Sequence, residues 1–297
     1  MLKLENLSIF EFQNKFPDEQ ACFNYLMELK WGDKPFICRR CKHTNACKGN
    51  RKYGKKCTRC NYEESVTAHT LFHRLRFPVV KAFWIIYYVS TTKNGISSME
   101  LSRKLNLRQK TAWSFKRKVM AAMKSSGNHP LEGQVEVDEF VVGGKEKGVK
   151  GRQHGAKKKK VVIAIEKKGK GVSRIYAKQI DDYSKKSILP FMRQHISANA
   201  DLKTDGWTAY DNISDEFPLH QQELSQGGSN FPSLHRCIMM LKAWLRGTHH
   251  HVNDLQPYLD EYTYRYNRHL MKRGIFENLI TRMIKHPPLQ LAVSKHG

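Results

Sequence analysis

The chain has 297 residues, of which 52 are Lys or Arg and 27 are Asp or Glu, so its formal net charge is +25. With 40% hydrophobic residues it can bury cores of its own, which excludes wholesale disorder, and its length accommodates two or three domains. The longest apolar run, Ala82–Val89, is too short to cross a bilayer, and Met1–Phe16 carries Glu5 and Glu11 without a small-residue cleavage site. A soluble, cytoplasmic chain with no membrane partner is therefore expected. A basic surface of this strength attracts polyanions, and nucleic acid is the expected partner class. The excess is uneven: +16 lies in residues 1–130 and +9 in the remainder.

In chain order, residues 1–35 read as a helical lead, with Asp18 as N-cap before Cys22, Tyr25, Leu26 and Leu29 at helical spacing. Residues 36–65 carry Cys38-x2-Cys41 and Cys57-x2-Cys60, separated by fifteen residues. Each short spacing aims two thiolates at one ion, and two such knuckles make a tetrahedral site. The segment holds too little apolar residue to fold unaided, so a structural Zn²⁺ supplying folding energy is expected. Cys47 is an alternative ligand, a disulfide pair is the rival chemistry, and Cys22 and Cys237 read as packed thiols. Arg39, Arg40, Lys42, Lys48, Arg51, Lys52, Lys55, Lys56 and Arg59 flank the cysteines, as phosphate contacts or as a solvated face.

Residues 78–125 read as helices. Ser97 with Glu100 forms a capping-box pattern, a turn falls at Asn106-Leu107, and a second helix runs to about Met123. This is the form of a helix-turn-helix whose second helix offers its start to a major groove, and Arg108, Gln109, Lys110 and Lys116 are its candidate DNA contacts. A plain helical hairpin is the alternative. From 134 onward strand-like runs come first, 134–142, 160–166 and 172–180. A helix over 184–195, a short strand ending near Asp205, and helices near 235–246 and 253–268 follow. The expected whole is a multi-domain α+β chain: lead, ribbon, helix-turn-helix, a mixed α/β catalytic domain over 131–270, and a tail over 271–297.

Two carboxylates sit at strand ends, Asp138 in Val-Glu-Val-Asp-Glu-Phe and Asp205 in Leu-Lys-Thr-Asp-Gly-Trp. On neighbouring strands such a pair would hold Mg²⁺ through oxygen and serve phosphodiester displacement. Periodicity does not choose between Asp138, Glu136 and Glu139.

The double Cys-x2-Cys, Gly-Gln-Val-Glu-Val-Asp-Glu-Phe-Val-Val-Gly-Gly, Lys-Thr-Asp-Gly-Trp-Thr-Ala-Tyr, Leu-Lys-Ala-Trp-Leu-Arg-Gly-Thr-His-His-His-Val and Tyr-Leu-Asp-Glu-Tyr-Thr-Tyr-Arg-Tyr-Asn-Arg stand in an order and spacing that resembles one family. It is that of the DDE-type transposases of bacterial insertion sequences with an N-terminal zinc ribbon. The resemblance runs from about Phe36 to Arg268. It implies a ribonuclease-H-like catalytic domain with Asp138 and Asp205 as the first two metal ligands. The family's third acid precedes a Lys by seven residues on a helix. Counting back from Lys242 gives His235, two turns away on the same face.

Asp-Asp-His therefore replaces Asp-Asp-Glu, with Glu223, Asp254, Asp260 and Glu261 as rival third ligands. A neutral imidazole also leaves Mn²⁺ as well as Mg²⁺ as the expected catalytic ion. Lys242 and Arg246 would contact phosphate near the scissile bond. Trp207 and Tyr210 stack on a base or pack, the Lys157–Lys160 run grips phosphate or is solvated, and Arg265, Asn267 and Arg268 are DNA contacts or helix-end charges.

The implied activity is metal-dependent cleavage at transposon ends and strand transfer into target DNA. The expected partners are double-stranded DNA and further copies of the chain assembled on it, in the nucleoid. The rival readings are a non-enzymatic DNA-binding regulator, an inactive transposase copy, and a ribonuclease-H-like nuclease without strand transfer.

Overall fold

The computed structural model describes residues 7–32, 35–143, 158–224, 226, 229–249 and 252–289, leaving aside the side chains of 272 and 273. No described helix is long and apolar enough to cross a membrane. The chain divides into two units, one built from 1–123 with 271–297 and the other from 124–270.

The first unit begins with helices α1 (Ile9–Lys15) and α2 (Glu19–Trp31). Ser8 and Glu11 close a capping box on α1, and the Asp18 carboxylate accepts the Ala21 N–H at 2.8 Å on α2. A small antiparallel sheet follows, β1 (Ala46–Lys48), β2 (Gly54–Cys57) and β3 (Glu63–Ser65), with β2 in the middle. Helices α3 (Val79–Thr91), α4 (Ser98–Leu105) and α5 (Gln109–Met123) complete the N-terminal part.

The stretch expected as a tail is instead structural. Helix α9 (Ile275–Lys285) packs on α2, α3 and α5. It buries Ile275, Phe276, Leu279, Ile280, Met283 and Ile284, and Phe276 stands among the rings of Phe12, Phe16 and Phe83. At about 1.5–3 kcal/mol for each large apolar side chain, this helix contributes on the order of 10 kcal/mol of burial to the unit.

Helix α2 is tied to the small sheet by a buried ion pair. Lys30 Nζ lies 2.8 Å from Glu64, which is 3% exposed, and also donates to the carbonyls of Ser65, Val66 and Ala68. Lys30→Met leaves a carboxylate buried and three carbonyls without their donor. The expected loss is about 3–5 kcal/mol, read as a lowered denaturant midpoint.

The second unit holds a five-stranded sheet. Its strands are β4 (Gln134–Val142), β5 (Lys159–Lys168), β6 (Gly171–Ile180), β7 (Asp201–Thr204) and β8 (His220–Gln222), in spatial order β6-β5-β4-β7-β8. The first three form an antiparallel meander, and β7 and β8 run parallel to β4. This is the ribonuclease-H-like topology that the sequence led us to expect.

The central strands are apolar on both sides, as strands covered on both faces must be. Val135, Val137, Val162 and Ala164 enter one core with α6 (Lys185–His195), while Phe140, Val161, Ile163 and Ile165 enter the other with α7 (Pro232–Thr248) and α8 (Gln256–Tyr266). The free edge of β6 is closed by side-chain amides. Asn267 Oδ1 accepts the Ile175 N–H and its Nδ2 donates to the Ile175 carbonyl, both at 2.8 Å. Gln256 accepts from the Gln179 N–H at 2.8 Å. Asn267 thus covers a sheet edge that would otherwise pair with other chains.

Asp260 on α8 has a raised pKa of about 6, chiefly from burial, with a Gln256 hydrogen bond opposing. A carboxyl whose folded pKa lies above its unfolded value loses stability as pH rises between them. Asp260→Asn keeps the acceptor for Gln256 and removes that penalty. The variant should melt above the parent at pH 7.5, and the difference should vanish below about pH 4.

Candidate metal centres and nucleic-acid face

The four paired cysteines come together. Cys38 and Cys60 Sγ are 3.5 Å apart, Cys41 and Cys57 Sγ 3.6 Å, and all four Sγ atoms lie within 4.8 Å of one another. A disulfide needs about 2.05 Å, whereas four sulfurs each about 2.3 Å from one ion stand roughly 3.8 Å apart.

The two knuckles repeat one backbone form. Lys42 and Asn61, each directly after a second cysteine, take left-handed φ of 61° and 59°. Their N–H groups return to the carbonyls of Cys38 and Cys57. Burial raises the Cys57 thiol. Backbone N–H groups of Cys60 and Arg59 and the neighbouring thiols outweigh this and bring it down to about 6, while the same neighbouring thiols push Cys60 up. Cys47 is exposed on β1 with its Sγ toward the Lys56 carbonyl, apart from the cluster, and Cys22 and Cys237 are packed thiols.

In the second unit β4 and β7 pair as far as Val137 with Thr204. Asp138, in the middle of β4, and Asp205, directly after the end of β7, are the next step of that register. Glu139 joins them, and carboxylate oxygens of Asp138, Glu139 and Asp205 lie within 4.8 Å of one another. Strand alternation places Glu139 on the face opposite Asp138, where the buried Tyr210 hydroxyl donates to its carboxylate. The Asp138 carboxylate in turn accepts the Glu139 N–H at 2.7 Å, and Asp205 accepts the Trp207 N–H at 3.1 Å. Trp207 and Tyr210 therefore pack and position; Trp207 Nε1 donates to the Tyr183 carbonyl. Glu136 is buried and paired with Lys167 at 3.0 Å.

His235 stands on the first turns of α7. Its Nε2 is a buried atom without a hydrogen-bond partner, 3.6 Å from Asp138 Oδ2. That is too long for a hydrogen bond. It matches two ligand atoms about 2.1 Å from one ion at an angle near 120°. His235 reaches Asp138 but lies outside the compact carboxylate group. Glu223, Asp254, Asp260 and Glu261 do not join that group either; Glu261 is engaged by Arg265 at 2.8 Å.

Lys242, two turns along α7, places its ammonium 5.2 Å from the Phe140 ring centroid. Burial and then Arg246 lower its pKa, while Asp138 opposes them. Arg246 is exposed one turn further on. His249 packs against Trp244 and Tyr258; His250 and His251 lie outside the described residues.

Most of the stretch 143–160 also lies outside them. At its end Lys159 donates to the carbonyls of Val252 and Asn253, and Lys160 to that of Asp181, so both ammonium groups are internally engaged. On α5, Arg108, Gln109 and Lys110 are exposed around its start. Lys116, expected among the DNA contacts, is not: it is 4% exposed and its Nζ donates to the Ile96 carbonyl at 2.7 Å.

The second unit is thus a ribonuclease-H-like domain with a carboxylate cluster where the pairing of its central parallel strands stops. Residues 130–267 match the ISXO2-like transposase domain, and this part of the chain is a transposase domain of that kind. No curated protein matches the chain. The chain also shows similarity to a crystal structure of a pre-cleavage Mos1 transpososome, with 11% identity, a TM-score of 0.30, and coverage of 67% of this chain and 77% of that one. So remote a likeness carries no part of the assignment.

Proposed function

We propose that this transposase cuts double-stranded DNA at the ends of its own insertion sequence and joins the released 3′ hydroxyl to target DNA. The observation that carries this reading is the meeting of Asp138, Glu139 and Asp205 within 4.8 Å, inside a transposase domain. Three carboxylates so close repel one another, an arrangement that calls for a cation.

Asp138, Asp205 and His235 would hold Mg²⁺ or Mn²⁺, with Glu139 as a carboxylate ligand that sequence periodicity left open. Bound there, the metal would activate the attacking oxygen and stabilise the leaving one. The protein's own residues position the reacting groups. Tyr210 fixes Glu139 from below the sheet, and Lys242 and Arg246 offer cations along α7 to the phosphates flanking the scissile bond. Cys38, Cys41, Cys57 and Cys60 would hold a structural Zn²⁺. The ribbon and the helices α4 and α5, in the more basic part of the chain, would bind the element's ends, as further copies of the chain assemble on DNA in the nucleoid.

A regulator that only binds DNA has no use for three converging carboxylates. The test uses labelled duplexes carrying the DNA that flanks the coding region, a target plasmid, and Mg²⁺ or Mn²⁺. New 3′ ends and a joined product are expected. Binding without cleavage in either metal would favour the regulator, and cleavage without joining would favour a simple nuclease.

A further inference from the structure

Helix α5 presents a narrow outward face. Leu101 on α4 and Ala112, Phe115, Lys116 and Val119 on α5 are buried, so the pair is locked from within. The turn between them is closed by hydrogen bonds. Asn106 is left-handed at φ 47°, the Leu107 N–H returns to the Ser102 carbonyl, and Ser102 Oγ donates to the Leu107 carbonyl at 2.6 Å. What faces outward at the start of α5 is Gln109, Lys110 and, one turn on, Trp113, which is 37% exposed with the Arg117 guanidinium 5.8 Å from its ring centroid.

Gln109 is not a loose surface amide. Its Nε2 donates to Ser98 Oγ on α4 at 2.9 Å, which holds the side chain across the mouth of the helix pair. An amide has two donor hydrogens and two acceptor lone pairs, and this bond uses one. One donor hydrogen and the acceptor oxygen remain, the donor and acceptor types that match N7 and the N6 amino group of adenine in the major groove.

We infer that Gln109 reads an adenine in the element's terminal sequence, with Ser98 as its positioning residue and Trp113 covering the neighbouring base edge. The inference rests on the transposase reading above, because it names what the DNA-binding face of that enzyme recognises. An amide already held in place loses less side-chain entropy on binding than a free one. Lys110 and Arg117 carry charge for phosphate, and a phosphate contact gives no base preference.

The test uses the full chain and a pool of random-sequence duplexes, selected by binding without added Mg²⁺ or Mn²⁺. The selected sequences should share an adenine. Replacing that adenine by 7-deazaadenine, which lacks only the N7 acceptor, should weaken binding at least about fivefold, the lower end for a bidentate base contact. Gln109→Ala should flatten the preference at that position alone, and Ser98→Ala should weaken the same preference by a smaller factor. A purely structural tie between the helices would change melting temperature without changing which base is chosen. A Gln109→Ala chain that selects the parent's sequence at every position, or an adenine indifferent to the 7-deaza change, would overturn the inference alone. A parent chain that selects no sequence and cuts no DNA would overturn the transposase reading with it.

Discussion

Asp138→Asn or Asp205→Asn should lower DNA cleavage by about 10³-fold or more while leaving the chain at least as stable as the parent. The two effects differ in sign for one reason. Each carboxylate lies within 4.8 Å of two others, so in the protein alone the group is a source of repulsion. In the reacting complex the same charges hold the cation, and metal stabilisation of the transition state is worth several kcal/mol at about 1.4 kcal/mol for each factor of ten. Stability and activity should be measured together, by thermal melting without divalent metal and by cleavage of labelled ends. A residue that merely supported the fold would lose both. His235→Ala should also lower cleavage; if it cuts as fast as the parent, the imidazole is no ligand and Glu139 carries the third position.

Removal of the ribbon's metal is the second large effect. Purified from zinc-sufficient medium, the chain should carry one Zn²⁺, and Cys57→Ser should carry none. The three strands between Ala46 and Ser65 are short, and the buried apolar groups of residues 36–65 are Phe36 and two of the ligands themselves, Cys38 and Cys57. Metal binding worth about 10–16 kcal/mol in comparable small sites is thus the main source of order there. Without it the Lys55-Lys56 bond on β2 should become open to trypsin, whereas the cutting pattern within 124–270 should stay as it is with zinc bound. A metal-free parent with a trypsin-resistant ribbon would rule out this account.

The paired cysteines were legible in the sequence because a two-residue gap and a left-handed turn leave a thiolate pair few other uses. The sheet was legible from apolar runs on both faces of its central strands. Glu139 was only half legible. Alternation puts Asp138 and Glu139 on opposite faces of β4, and only the end of pairing with β7 lets consecutive side chains reach one cluster.

Lys116 was misread by its charge. The buried positions 112, 115, 116, 119, 120, 122 and 123 form one helical stripe, and Lys116 falls inside it, which the spacing could have told. The same holds for α9, whose Ile275, Phe276, Leu279, Ile280, Met283 and Ile284 repeat at helical spacing in the stretch expected as a tail. His235 was found only by counting from Lys242, because a histidine on a helix carries no mark of its surroundings.

The position of α9 has a consequence for the order in which the protein is made. A ribosome must pass Lys285 before the hydrophobic face shared by α2, α3 and α5 can be covered, yet residues 124–270 are by then fully synthesised. The catalytic unit can therefore fold while the unit bearing the ribbon still waits for its last helix. Chains that end early, through a nonsense codon or a stalled ribosome, would expose the apolar surface around Phe12, Phe16 and Phe83 and be cleared rather than persist. If the first unit binds the element's ends as proposed, such an arrangement would make full-length synthesis a condition of DNA recognition.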